Sequence, residues 1–130
     1  MKTAFREGLA IGLLALTLFL CTPAHSETGS TLLQACEALE REVRILPGNI
    51  VQYPVSSDGN KCWGYMGAVQ DFAVLVLGGK PLLRSCLGPD TTLTQLVRVF
   101  TNYARTHPQQ LHEKASQLVY RAMLEAFPCP

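Results

Sequence analysis

Four cysteines, Cys36, Cys62, Cys86 and Cys129, follow an apolar leader, and they restrict this chain's folds more than any other feature. A fifth, Cys21, lies in the leader itself. Lys2 and Arg6 give the chain a positive start, and the run Leu9 to Leu20 (LAIGLLALTLFL) is long enough for the hydrophobic region of a secretion signal but too short to span a bilayer. Ala24 and Ser26 then put small residues three and one before a cut ahead of Glu27, so residues 1–26 read as a signal peptide and 27–130 as one domain. A lipid anchor on Cys21 would want a small residue just before it, and Leu20 stands there after Phe19.

Cleavage changes the arithmetic. The whole chain has 130 residues, 11 Lys and Arg against 10 Asp and Glu, and a net charge of +1. Loss of Lys2, Arg6, Glu7 and Cys21 leaves nine basic and nine acidic side chains and an even set of four cysteines. An even set behind a secretion signal implies disulfides made in an oxidising compartment. Balanced charge without a Lys/Arg cluster argues against nucleic acid, which binds to a concentrated positive field. No CxxC or HxxxH pair suggests a metal.

Apolar spacing predicts four helices. Leu32, Cys36, Leu39, Val43 and Leu46 recur at helical intervals from a Thr31–Gln34 capping pattern to Pro47-Gly48, which gives a first helix over 31–46. Residues 47–60 read as a loop with an extended segment in the apolar stretch Ile50 to Val55, where Pro54 opposes a central strand. The nearly unbroken apolar run from Lys61 to Leu77 predicts a buried central helix, with Gly64 and Gly67 marking a close neighbour. Gly78-Gly79-Lys80-Pro81 ends it. Asp90 or Thr91 caps a third helix and Thr92 with Gln95 makes a second capping-box pattern, with Leu93, Leu96, Val97, Phe100, Tyr103 and Ala104 inward and Arg98, Thr101, Asn102 and Arg105 outward. A fourth, Leu111 to Ala126, follows His107-Pro108. The expected fold class is all-α, a small disulfide-stapled four-helix domain.

Three disulfide pairings are possible. Helices one and two share a loop, and an antiparallel hairpin of helices three and four would bring its ends together, so topology favours Cys36 with Cys62 and Cys86 with Cys129. Each closed loop would stabilise the domain by about 3 to 4 kcal/mol in the chain-entropy account.

The residues assemble no catalytic, metal or cofactor site. His107 and His112 are five apart and do not share a helix face, GxSxG is absent, and cysteines used as bridges are not nucleophiles. Asp71 and Glu125 lie in strongly apolar segments, where a hydrogen-bonded structural carboxylate is the expected role.

The run Lys61 to Gln70 (KCWGYMGAVQ), then Cys86-Leu87-Gly88-Pro89-Asp90 with Thr92-Leu93-Thr94-Gln95-Leu96, then Tyr103, His107-Pro108, Leu111-His112 and Ala122 to Cys129 (AMLEAFPC), resembles the Rap/Tai family of immunity proteins. In that family the cysteine-leucine-proline segment commonly runs directly; here Gly88 intervenes. The resemblance implies a periplasmic helical protein, often a homodimer, that binds a peptidoglycan amidase delivered by type VI secretion and blocks its active site, with no enzymatic activity or cofactor of its own. A periplasmic acid-stress holdase is the alternative, and a saposin-like lipid binder a third class that lacks its usual six cysteines. No membrane association is expected after signal cleavage.

For partner binding the loops 47–60 and 78–90 are the candidates, with Lys80, Arg84 and Asp90 as their polar groups. Charge reversal at Arg84 is expected to weaken toxin binding and leave the melting temperature unchanged; unchanged affinity would remove this loop from the interface.

Overall fold

The computed structural model describes residues 26–48, 50–52 and 55–130. The leader over 1–25 and Pro54 lie outside these residues. Four helices carry the domain: α1 (Gly29–Glu42), α2 (Ser57–Ala73), α3 (Leu93–Thr106) and α4 (Ala115–Ala126), with a 3-10 turn at Pro108–Gln110. Two short antiparallel hairpins join them, β1 (Arg44–Leu46) with β2 (Ile50–Gln52), and β3 (Val76–Leu77) with β4 (Lys80–Pro81). The fold is mostly helical, and the hairpins are what an all-helical expectation leaves out.

Both hairpins replace expected helical ends. Helix α1 stops at Glu42 rather than at 46, because Arg44–Leu46 pairs with Ile50–Gln52 (Arg44↔Gln52, Leu46↔Ile50) across a turn in which Gly48 has φ 86°. Helix α2 stops at Ala73 rather than at 77. Gly78 and Gly79, at φ 58° and 77°, supply the two consecutive positive-φ residues of a tight hairpin turn, and Val76 and Leu77 pair with Pro81 and Lys80. At the other end, α2 begins four residues earlier than expected, where the Ser56 hydroxyl accepts from the Gly59 N–H at 2.9 Å. The Glu42 carboxylate fixes the approach to this cap, accepting from Val55 N–H at 3.0 Å and Ser56 N–H at 3.2 Å, and hydrogen bonds from Ser56 hold it below the usual carboxylate range.

The central helix is α1, not α2. Leu32, Cys36 and Leu39 of α1, Cys62 and Met66 of α2, Leu96, Val97 and Phe100 of α3 and Leu118, Val119 and Met123 of α4 form one core. Helix α1 packs on the other three helices and α3 also meets α2 and α4, whereas α2 and α4 are not paired in this way. Gly64 and Ala68 of α2 are exposed, and nothing approaches the Cβ position of Gly64 or Gly67, so these glycines do not mark a close neighbour.

Thr28, not Thr31, caps α1. Its hydroxyl accepts from Thr31 N–H at 3.3 Å and the Thr31 hydroxyl accepts from Thr28 N–H at 3.1 Å, a reciprocal box with threonine in place of the usual Glu or Gln. Backbone bonds from Gly29 N–H to Glu113 O and from Ala115 N–H to Glu27 O, both 2.9 Å, dock this end on the start of α4. Helix α3 is capped by Thr92 rather than by Asp90 or Thr91, and the Thr92–Gln95 pattern holds: the Thr92 hydroxyl accepts from Gln95 N–H at 3.2 Å. Helix α4 begins at Ala115, later than Leu111, because Pro108–Gln110 closes a separate turn. Thr101, expected outward, is fully buried and donates to Glu40 Oε1 at 2.9 Å, while Arg105 reaches Glu37 and Glu40 at 3.2 and 2.9 Å to tie α3 to α1. Asp71 and Glu125 are exposed, so the structural role expected of a carboxylate in an apolar segment does not hold for either.

Gly29 sits where α1 meets α4: a Cβ there would come 2.5 Å from Leu118 Cδ2 and 3.2 Å from the Leu111 carbonyl oxygen. Overpacking of this kind costs about 1–3 kcal/mol. Gly29→Ala should therefore lower the melting temperature by roughly 4–8 °C per kcal/mol lost; an unchanged melting curve would mean that Leu118 and the 111 backbone move aside freely.

Candidate interaction surface

The pairing favoured by topology is the one observed. Cys36–Cys62 joins α1 to α2 and both its residues are fully buried, whereas Cys86 and Cys129 of the second disulfide are exposed. Around this second staple the chain is held tightly: Cys86 N–H donates to Phe127 O at 3.0 Å, Ser85 bridges Pro128, and the Arg84 carbonyl oxygen lies 3.4 Å from Cys129 Sγ. The segment that leaves α2 and carries β3 and β4 is thereby anchored to the end of α4.

That segment is unusually apolar for a surface. Phe72, Val74 and Leu77 are 53, 67 and 74% exposed, and Leu75, Val76 and Leu82 join them. A second apolar cluster, Leu46, Ile50, Val51 and Val55, rides on the other hairpin. One cluster precedes α2 and one follows it, and 17 residues of helix put about 25 Å between its ends.

A cleft of about 300 Å³ lies between α2 and α4, lined by Tyr65, Ala68, Val69 and Phe72 of α2, Ser116, Val119 and Tyr120 of α4, and Leu83. Burial raises the Tyr65 phenol above its ordinary value, the Glu27 carboxylate adds to this, and a hydrogen bond with Ser116 opposes it. The phenol therefore stays neutral at neutral pH. Next to the cleft, and sharing Tyr120, lies a wider concavity of about 580 Å³ lined by Lys80, Pro81, Arg84, Leu124 and the segment Pro128 to Pro130.

The structure brings together two of the three polar residues singled out in the sequence. Lys80 and Arg84 line the same concavity; Asp90 stands apart, exposed in the turn before α3. Neither Lys80 nor Arg84 forms an ion pair among the described residues. Arg84 has φ 53°, a left-handed backbone that costs an ordinary residue about 1 kcal/mol or more. The apolar cleft is what sequence reasoning missed, since its residues follow ordinary core spacing; the nearly all-round apolar character of α2 was the available signal.

Among the described residues no group of three or more His, Cys, Asp or Glu side chains is placed to hold a metal, and no helix is long and apolar enough to cross a membrane. What the surface offers is apolar contact area next to unpaired cations on a covalently braced frame. Exposure also ranks the staples. A dithiol reductant under native conditions should open Cys86–Cys129 first, so alkylation and peptide mapping find Cys86 and Cys129 modified while helical circular dichroism persists; simultaneous labelling of all four cysteines would contradict this ranking.

No curated protein and no solved structure matches the chain. A family model described as Rap1a immunity proteins matches residues 28–129, from the cap of α1 to the last cysteine of the second staple. The whole helical domain, both disulfides and the hairpin surface thus fall within the match, and the chain belongs to the Rap1a immunity protein family.

Proposed function

We propose that this protein neutralises a peptidoglycan amidase effector of a type VI secretion system by binding it and covering its active site, with no reaction of its own. The observation that carries this reading is the exposed apolar β3–β4 hairpin, flanked by Lys80 and Arg84 and braced by an accessible disulfide, in a chain of an immunity family. A protein inhibitor gains affinity when its contact surface is ordered before binding, because less conformational entropy is lost on association. Two staples enclosing sequence separations of 26 and 43 residues supply that order.

Residues 1–26 would act as the export signal, placing the domain in the periplasm, the compartment in which both disulfides form and in which a peptidoglycan amidase meets its substrate. Lys80 and Arg84 would contact the effector, with Asp90 at the periphery. Two copies would associate as a homodimer, as the family resemblance implies.

The test is a periplasmic co-expression assay with a panel of papain-like amidase effectors of type VI secretion systems, paired with cleavage of purified peptidoglycan. Host survival and loss of cleavage at a stoichiometric ratio are expected. Undiminished cleavage in the presence of excess protein would overturn the reading.

A further inference from the structure

We propose that the cleft between α2 and α4, together with the Lys80/Arg84 concavity beside it, docks a segment of a protein partner that carries one apolar anchor side chain flanked by carboxylates. This rests on the immunity reading and specifies what the effector's surface has to present.

The cleft supplies the anchor site. Its volume of about 300 Å³ is at the small end of ligand pockets, and its walls of Tyr65, Val69, Phe72, Leu83, Val119 and Tyr120 are hydrocarbon and aromatic. A single buried aromatic or aliphatic side chain in such a pocket is the usual centre of a protein interface. Tyr120 forms part of both walls, so a chain that seats its anchor in the cleft continues into the cationic concavity.

Charge sets the flanks. Between Asp71 and Asp90 the sequence has no acidic residue, and this stretch contains the whole hairpin. Lys80 and Arg84 thus face the concavity without a carboxylate partner among the described residues, whereas Arg105 and Arg121 are paired with Glu37, Glu40 and Glu113. The left-handed backbone at Arg84 points the same way. Glycine would adopt φ 53° without strain, and the chain instead keeps a guanidinium at this position. Lipid is the poorer occupant, since an anionic membrane surface is typically held by about 4–8 clustered Lys and Arg side chains and this concavity has Lys80 and Arg84 alone.

The experiment uses two fluorescein-labelled peptide pools of equal length, with a central Phe or Leu flanked by Asp and Glu in one and by Lys and Arg in the other. Binding to the protein is followed by anisotropy at about 50 and about 300 mM NaCl. The acidic pool is expected to bind about tenfold more tightly, with the advantage shrinking at the higher salt. The double variant Lys80→Glu with Arg84→Glu should reverse the preference. Ala68→Trp, which fills the cleft from an exposed position of α2, should weaken the acidic pool by about tenfold with an unchanged melting curve. Arg84→Gly serves as the second variant, because it relieves the backbone while removing the charge: affinity falls and stability does not.

Equal affinity for the two pools, indifference to Ala68→Trp, or binding of phosphatidylglycerol vesicles in place of either pool would overturn the proposal. The amidase assay separates the two readings. If the wild-type protein and Ala68→Trp neutralise the enzyme alike, the docking site is wrong and the immunity function stands. If the wild-type protein fails to neutralise it while the acidic pool binds as described, the immunity reading is wrong and the site stands.

Discussion

Helix α1 is gripped on three sides at once, and the rest of the molecule follows from that grip. Its buried Leu32, Cys36 and Leu39 fill the space between the other helices, its first turn hydrogen-bonds the entry to α4, and its disulfide to Cys62 fixes its distance from α2. The Gly29 contact sets how closely α1 and α4 approach. With α1 and α3 each packed on the other helices, α2 and α4 are held apart except at contacts such as Tyr65 with Ser116, and the gap between them becomes the apolar cleft. The cleft is therefore a product of core packing. The side chains that line its floor also close the core, as Val119 does.

A division of labour between the staples follows. The Cys36–Cys62 bond is sealed in the core, where it adds to a packing arrangement that hydrophobic burial already favours. The Cys86–Cys129 bond lies at the surface, joining two segments whose Leu87 and Phe127 pack against the core. It keeps the residues after the β3–β4 hairpin beside the end of α4, and with them the spacing between Arg84 and Leu124 in the cationic concavity.

The sequence revealed the frame of the molecule better than its edges. Helix α3 was readable because its start, Thr92 with Gln95, and its apolar stripe are both local signals. The ends of α1 and α2 were not, since a short run such as Val74 to Leu77 fits the last turn of a helix as well as a strand, and only the paired glycines after it decide the matter. Thr101 shows the limit from the other side. On the helix wheel it stands at the edge of the apolar stripe, between the buried Val97 and Ala104 on one side and Arg98 and Arg105 on the other, and it lies inward where Glu40, 61 residues away on another helix, accepts its hydroxyl hydrogen. Of the interaction surface, Lys80 and Arg84 were legible as charges in a loop, whereas the cleft depends on how the other helices space α2 from α4, which no single segment encodes.

The two disulfides also define covalent rings, one from Cys36 to Cys62 and one from Cys86 to Cys129. A single peptide cut inside either ring leaves the chain in one piece. The exposed hairpin at Gly78-Gly79 lies between the rings, on the lone strand of backbone that connects the α1–α2 half to the α3–α4 half. The segment offered to a partner is thus also the joint at which a protease would sever the molecule, and a partner seated on it would shield that joint. In a compartment where endopeptidases are present, occupancy of the surface and lifetime of the protein would rise together.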